Sequence, residues 1–239
     1  MHRSNNRKEE KSRMVDGLYE VNYSQHVLQQ KYTKKLAFIL RSIFHRCSLY
    51  LMMQELLHHI KQYAPLSEEA EQSLYDCFEQ VVFAKQQHLL TEGKICRHLY
   101  FLEKGALRGY YNLDGKEITH WFGFENNFVT SFHSFITQEP SVENIQLLEG
   151  SILWSISKDT LSTLLNRYHD IERLVRIATE SYYLRLEERF VNAQFKTAAE
   201  RYEQLMTESP HILERVPLGY VASYLGISQE TLSRIRSRL

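Results

Sequence analysis

The C-terminal stretch LGYVASYLGISQETLSRIRSRL (Leu218–Leu239) carries the pattern from which the rest of the chain is read. Pro217 precedes it, in keeping with a helix start. Ala222 falls midway along a first helix, where only a small side chain lets a second helix cross closely. Gly226 falls in the turn, where a positive φ is needed and glycine adopts it at least cost. Val221, Leu225, Ile227, Leu232 and Ile235 occupy the inward positions of two crossing helices, and Ser228 can cap the second. These features together agree with a helix-turn-helix. The second helix would expose Gln229, Glu230, Ser233, Arg234 and Ser237. Arginine can donate a bidentate pair to guanine, and glutamate can accept from the cytosine amino group. Arg236 and Arg238 are placed to reach phosphates. The DNA-contacting set expected here is therefore Ser228, Gln229, Glu230, Ser233, Arg234, Arg236, Ser237 and Arg238. The competing reading is an ordinary helical hairpin with a solvated charged face.

Upstream lies a long helical period. Asp170 is placed to cap it, and Ile171, Leu174, Val175, Ala178, Tyr182, Leu186 and Phe190 form a stripe at spacings of three and four. Such a stripe suits a coiled-coil-like dimer seam; the alternative is packing on its own β-domain. A shorter helix precedes it, capped by Ser157 and running through Asn166. Before that the period is different. Val81–Phe83, His98–Leu102, Leu107–Asn112, Ile118–Phe124, Ile145–Leu148 and Ile152–Ile156 are short segments rich in β-branched and aromatic residues. Asn112-Leu113-Asp114-Gly115 reads as a hairpin turn between two of them. Many short strands at close spacing indicate a sandwich or barrel. Ahead of the strands, Leu56, Leu57 and Ile60 follow a helical pattern that breaks at Pro65, and Ser67 can cap a second helix through Phe78.

Composition excludes several classes. An apolar fraction of 43% and a charged fraction of 24% suit a water-soluble globular protein. Lys+Arg and Asp+Glu are equal at 29 each, so any nucleic-acid partner must be argued from a local motif. Residues 1–51 hold ten of the basic residues and only four of the acids. They read as a dispensable or disordered extension, or else as a basic arm that helps hold DNA. Cys47, Cys77 and Cys96 are far apart and form no CxxC pair, which argues against a zinc site or a cysteine-held cluster. A sparse, odd cysteine count suits a reducing cytoplasm. The most apolar run, residues 34–53, is interrupted by Arg41, His45 and Arg46, so neither a membrane span nor a signal peptide is expected.

The order of strands, long helix and C-terminal helix-turn-helix resembles the Crp/Fnr family of transcription regulators, from about Met53 onward. The most specific piece is Gln229-Glu230-Thr231-Leu232-Ser233-Arg234, similar to the recognition helix of Fnr-like members. His98-Leu99-Tyr100-Phe101-Leu102-Glu103-Lys104-Gly105 resembles a strand-and-turn signature early in that family's β-roll. The resemblance implies an α+β chain with four parts. Residues 1–51 are an N-terminal extension, and 52–166 a cyclic-nucleotide-binding-like β-roll (double-stranded β-helix) that acts as sensor. Residues 167–195 are a dimerisation helix, and 196–239 a winged-helix/helix-turn-helix domain. It also implies that Glu230, Ser233 and Arg234 read bases.

One departure bears on the effector. Cyclic-nucleotide-binding members use a Gly-Glu pair and, about ten residues on, an Arg followed by Ser or Thr. Matched outward from Phe128 without a gap, these positions fall on Thr130 and Ser131, and on Ser141. No arginine occurs between Arg108 and Arg167. A buried cyclic phosphate without a cation would be poorly held. Thr130, Ser131, Ser141 and Tyr182 remain as candidate residues of an effector pocket, the effector being an unknown small molecule other than a cyclic nucleotide. The iron–sulfur cysteines of Fnr-type members are not matched, and no cofactor is expected. Implied partners are a double-stranded DNA operator with inverted-repeat symmetry, a second copy of the chain, and RNA polymerase. Two other readings stay open: a small-molecule or cyclic-nucleotide sensor without DNA binding, and a metal-dependent β-helix enzyme. For the latter, His88, His98, His120 and His133 do not form an H-x-H pair.

Overall fold

The computed structural model describes Met53 and residues 56–237. The expectations for residues 1–51 and for Arg238 lie outside the described residues. Helix α1 is described over residues 56–61, and Leu56, Leu57 and Ile60 are its buried face. Helix α2 (Glu68–Cys77) starts where Ser67 accepts a hydrogen bond from the Ala70 amide, as the sequence predicts.

Eight strands follow: β1 (Glu79–Phe83), β2 (His88–Leu90), β3 (His98–Lys104), β4 (Leu107–Leu113), β5 (Lys116–Gly123), β6 (Phe128–Val129), β7 (Asn144–Leu147) and β8 (Ser151–Ser157). They form two four-stranded antiparallel sheets, ordered β1-β8-β3-β6 and β2-β7-β4-β5. This is a β-roll. Phe101, Leu102, Leu107, Ile145, Leu147, Leu153 and Trp154 are buried in it. All six strands read from the sequence are present. β2 and β6 were not read, being too short to show an alternation. The turn between β4 and β5 is the two-residue Asp114-Gly115, with φ of 51° and 78°. Leu113 pairs with Lys116 across it, the primed geometry that suits the strand twist.

Helix α3 (Phe132–Thr137) interrupts the strands between β6 and β7. After β8 come α4 (Lys158–Arg167), capped by Ser157, and the 27-residue α5 (His169–Phe195). Asp170 does not cap α5. The helix begins one residue earlier, with Tyr168 at the N-cap position, and the Asp170 carboxylate instead accepts from the Ser67 amide and hydroxyl, both at 2.7 Å. It thereby ties the start of α5 to the start of α2. Within the long stripe, Ile171 and Leu174 are buried inside the chain. Every residue from 183 to 191 is exposed.

The remaining helices are α6 (Ala198–Glu208), α7 (Ile212–Arg215), α8 (Leu218–Tyr224) and α9 (Gln229–Arg236). Thr197 and Glu200 form a reciprocal capping box at the start of α6. No strand follows β8 among the described residues, so the expected winged part has no element under it. No helix among the described residues is long and apolar enough to cross a membrane.

The C-terminal helices share one core with the roll. Tyr202, Leu205, Ile212, Val216, Val221, Ala222, Leu225 and Leu232 pack with Ala106 and Leu148, and Phe122 and Phe124 border them. Polar contacts fix the docking. Arg215 of α7 grips Glu125 with two hydrogen bonds of 2.7 and 2.8 Å and also pairs with Glu149. The Gly105 amide donates to the same Glu125 carboxylate at 2.9 Å. Partial burial alone would raise the Glu125 pKa. The Arg215 and Gly105 hydrogen bonds outweigh it and hold the group at about 2, against an ordinary 4.5.

This clamp sets an acid limit. A carboxyl whose folded pKa lies below its unfolded value contributes stability fully above the unfolded pKa and loses it as pH falls towards the folded one. The stability gap between the natural chain and Glu125→Gln should therefore be constant above pH 4.5 and shrink as pH falls towards 2. Denaturant melts across that range measure it; a gap that does not shrink would remove the clamp from the account.

Candidate functional site

Three groups of side chains concern function: the outer face of α9, the polar network inside the roll, and the contacts that join them.

Helix α9 presents the expected residues outward. Ser228 is its N-cap, its hydroxyl accepting from the Thr231 amide at 3.2 Å. Gly226 takes φ of 67° in the turn before it. Leu232 is fully buried behind the helix, with Ile227 and Ile235 packed beside it. Ser228, Gln229, Glu230, Ser233, Arg234, Arg236 and Ser237 are all exposed. Glu230 and Arg234 lie one turn apart on a common face. A hydrogen bond from Ser228, with help from Arg234, lowers the Glu230 carboxyl pKa, so the group is a charged acceptor at neutral pH. The Arg234 guanidinium leans on Thr231 Oγ1 at 3.4 Å, and the Ser237 hydroxyl folds back onto the Arg234 carbonyl at 2.9 Å.

Inside the roll, the positions matched for an effector do converge. Ser131 and Ser141 are 2% and 3% exposed, and their hydroxyls meet at 3.1 Å. Thr130 turns away from them, donating to the His98 carbonyl at 3.0 Å beside the Cys96 sulfur. Tyr182 of α5 stacks on Phe132 of α3, with ring centroids 4.1 Å apart.

Sequence reasoning missed the centre of this network, which is Glu143. The residue is 7% exposed. Its Oε2 accepts from His120 Nε2 at 2.7 Å and from Trp121 Nε1 at 2.9 Å. Burial pushes this carboxyl up, but hydrogen bonds from His120, Ser131 and Trp121 outweigh it and leave the pKa below the ordinary value. Tyr111 stacks on the His120 ring at 4.4 Å. The Arg189 side chain of α5 donates to the His120 carbonyl. The only hint in the sequence was position: Glu143 stands two residues after Ser141, on the last residue before β7.

A second missed residue is Arg108 of β4. Its guanidinium is sandwiched between the rings of Tyr110, at 4.2 Å, and Tyr220 of α8, at 3.6 Å. It donates to Gln146 Oε1 at 3.1 and 2.9 Å, to Thr119 Oγ1 at 3.4 Å, and to Glu117. Next to it, Ser223 of α8 accepts from the Thr119 amide at 3.0 Å and donates to the Glu117 carbonyl at 3.2 Å. Phe122 of β5 meets the Tyr224 ring at 5.3 Å. Strand β5 thus touches Glu143 through His120 and Trp121, and α8 through the residues on either side of them. Among the described residues no group of three or more His, Cys, Asp or Glu side chains is placed to hold a metal ion.

Comparison with known proteins agrees with the roll. Residues 80–168 match the family described as the cyclic nucleotide-binding domain. No curated protein matches the sequence. Among solved structures, FixK2 from Bradyrhizobium japonicum superposes with a TM-score of 0.58 at 19% identity, covering 68% of this chain and 84% of that one. The c-di-GMP-responsive global regulator CLP of Xanthomonas campestris gives 0.54 at 15% identity, covering 72% and 91%. A cyclic nucleotide-binding domain from Methylobacillus flagellatus gives 0.54 at 19% identity, covering 61% and 84%. The resemblance to Crp/Fnr regulators read from the sequence is upheld at the level of the fold. Over residues 80–168 the chain thus has the fold of a cyclic nucleotide-binding domain, with no arginine between Arg108 and Arg167.

Proposed function

We propose that this chain is a sequence-specific, DNA-binding transcription regulator of the Crp/Fnr type, a homodimer and not an enzyme, working in the cytoplasm. In this reading α8 and α9 are a helix-turn-helix. The roll over 52–166 senses, 167–195 dimerises, 196–239 binds DNA, and RNA polymerase is the partner that reads the outcome. Residues 1–51 are an extension that this role does not need.

The observation that carries the reading is the free polar face of α9. Seven side chains of the expected set are exposed on a helix whose opposite side is locked into a core by Leu232. Among the described residues no other element packs on that face. Its first turns present a charged acceptor, Glu230, and a forked donor, Arg234, which is the chemistry that distinguishes base pairs in the major groove.

Dimerisation is supported by α5. Tyr183, Leu184, Leu186, Phe190, Val191 and Phe195 are between 44% and 83% exposed on its second half. Singly exposed apolar residues are ordinary, but a run of them along one helix marks an interaction surface. A two-fold partner that covers this run presents the same run in return. The seam therefore belongs to residues 183–195; Ile171 and Leu174, at the start of the stripe, are already buried in their own chain. A two-fold dimer calls for an inverted-repeat operator with half-sites about 34 Å apart.

Selection of bound DNA from a random pool, followed by affinities on single-base variants, tests the central claim. Arg234→Ala should cost about 1–3 kcal/mol at one base pair and relax the preference there, leaving the fold intact. A specificity profile that survives this change would rule out α9 as the reader. The seam has its own test. Leu186→Glu with Phe190→Glu should give monomers in analytical ultracentrifugation, with circular dichroism unchanged, because both side chains face solvent in the single chain. Dimers that persist would move the seam off α5.

A further inference from the structure

Among the described residues, Glu143 is the one buried acidic side chain, and it stands beside the converging serines. Its side chain is bonded from β5 and its backbone from its own segment. His120 and Trp121 donate to it from β5. Ser131, the N-cap residue of α3, is joined to it through Ser141, the two hydroxyls meeting at 3.1 Å. On its own segment, the Glu143 amide and carbonyl both bond the Ser141 hydroxyl, at 3.1 and 3.0 Å. The surroundings hold it there. The Trp121 indole lies flush on Gly109, where a Cβ would come within 2.0 Å of Nε1. Tyr111 closes over His120, and Arg189 of α5 holds the His120 carbonyl.

Two consequences follow. An anionic ligand brought to Ser131 and Ser141 would meet a fixed carboxylate in a dry interior, where like charges repel strongly. The carboxylate itself makes contacts that an anion there would make: two ring N–H donors on β5, and through His120 a link to α5. The hold on β5 passes directly to the C-terminal helices. His120 and Trp121 lie between Thr119, which bonds Ser223 of α8, and Phe122, which packs on Tyr224.

We propose that Glu143 is a tethered ligand of the roll: its carboxylate takes the place of an anionic effector, holds β5 and through it α5, and keeps the chain in its DNA-binding arrangement with no small molecule. This rests on the DNA-binding reading above. It deepens that reading by assigning the sensor's ligand to the chain itself. Polar groups in a buried network of this kind act as a unit, so removing the central member releases all of its partners.

The experiment uses the full chain and the operator found by selection. The natural protein is unfolded in guanidinium, dialysed free of small molecules and refolded. It should bind the operator as before. Glu143→Ala should bind it about tenfold or more weakly, the range of typical coupling between sites. Formate or acetate should restore much of the loss, whereas chloride at the same ionic strength should not. Glu143→Gln, which keeps the shape but turns an N–H towards donors, should also lose affinity and should not respond to formate; it serves if Glu143→Ala fails to fold. Three results overturn the proposal: refolded natural protein that binds only after the small-molecule fraction of a cell extract is returned, Glu143 variants that bind like the natural chain, or a loss that formate does not relieve. The first two leave the DNA-binding reading standing. That reading fails separately if unstripped natural protein selects no DNA.

Discussion

The Arg108 guanidinium lies where β4, β5, β7 and α8 meet. It is 1% exposed, and a charge so placed is costly unless its donors are satisfied. Gln146 on β7, Thr119 and Glu117 on β5 satisfy them, and Tyr110 and Tyr220 cover its two faces. Four of those five partners belong to the roll. The fifth, Tyr220, belongs to α8. Loss of the guanidinium would leave Gln146 and Thr119 without their shared donor, whereas Glu117, 45% exposed, is open to solvent. The arrangement of β4, β5 and β7 is therefore bound energetically to the seating of α8. Arg215, gripping Glu125 and Glu149, does the same for α7 at the other end of the contact.

Strand β5 gains its importance from this seating. Four successive residues, Thr119 to Phe122, divide between two jobs, and the register shift at His120 lets two neighbours reach the same carboxylate. Thr119 and Phe122 hold α8, while His120 and Trp121 hold Glu143. A strand is stiff along its length and has only two faces. A shift that served one job would disturb the other. Coupling between the interior of the roll and the helix behind α9 is thus a matter of one strand's placement and needs no long relay of contacts.

The parts of this architecture that were legible in the sequence are the ones fixed by local rules. Ser67, Ser157 and Ser228 each cap the helix they were expected to cap, because a cap depends on residues three positions away. Asp114-Gly115 and Gly226 adopt the left-handed backbone that their turns demand. Asp170 shows the limit of the same rule: it has the right chemistry for a cap, yet Ser67, 103 residues away, offers it two donors, and the helix starts before it. Glu143 and Arg108 were not legible for that reason. Their side-chain hydrogen-bond partners stand 9 to 38 residues away along the chain, on strands whose pairing register no local pattern states. In the sequence His120 stands out only as a histidine outside any H-x-H pair. Its role comes from the carboxylate opposite.

The same distinction explains α5. Its stripe of apolar residues is continuous in sequence, and nothing local marks where one use ends and another begins. The structure divides it: Ile171 and Leu174 close the protomer's core, Tyr182 packs on Phe132, and beyond Tyr182 the helix runs on with no side chain buried. A helix of 27 residues is about 40 Å long. Isolated helical turns are marginal in water and owe most of their stability to packing of an apolar face. The second half of α5 meets that need only along the flank where Arg189 reaches β5 and the ring of Tyr224. Its other flank bears Tyr183, Leu184, Phe190 and Val191, exposed, immediately before the helices that carry α9. A partner covering that flank would set the distance and the two-fold relation between two copies of α9, because only residues 196–197 separate α5 from α6. Glu143 bears on the opposite flank of the same turns through His120 and Arg189. The side of α5 turned to the roll would then report on the roll, and the side turned away would place the second reading head. That is the physical reason to expect the state of the roll's interior to be felt in the geometry of a dimer.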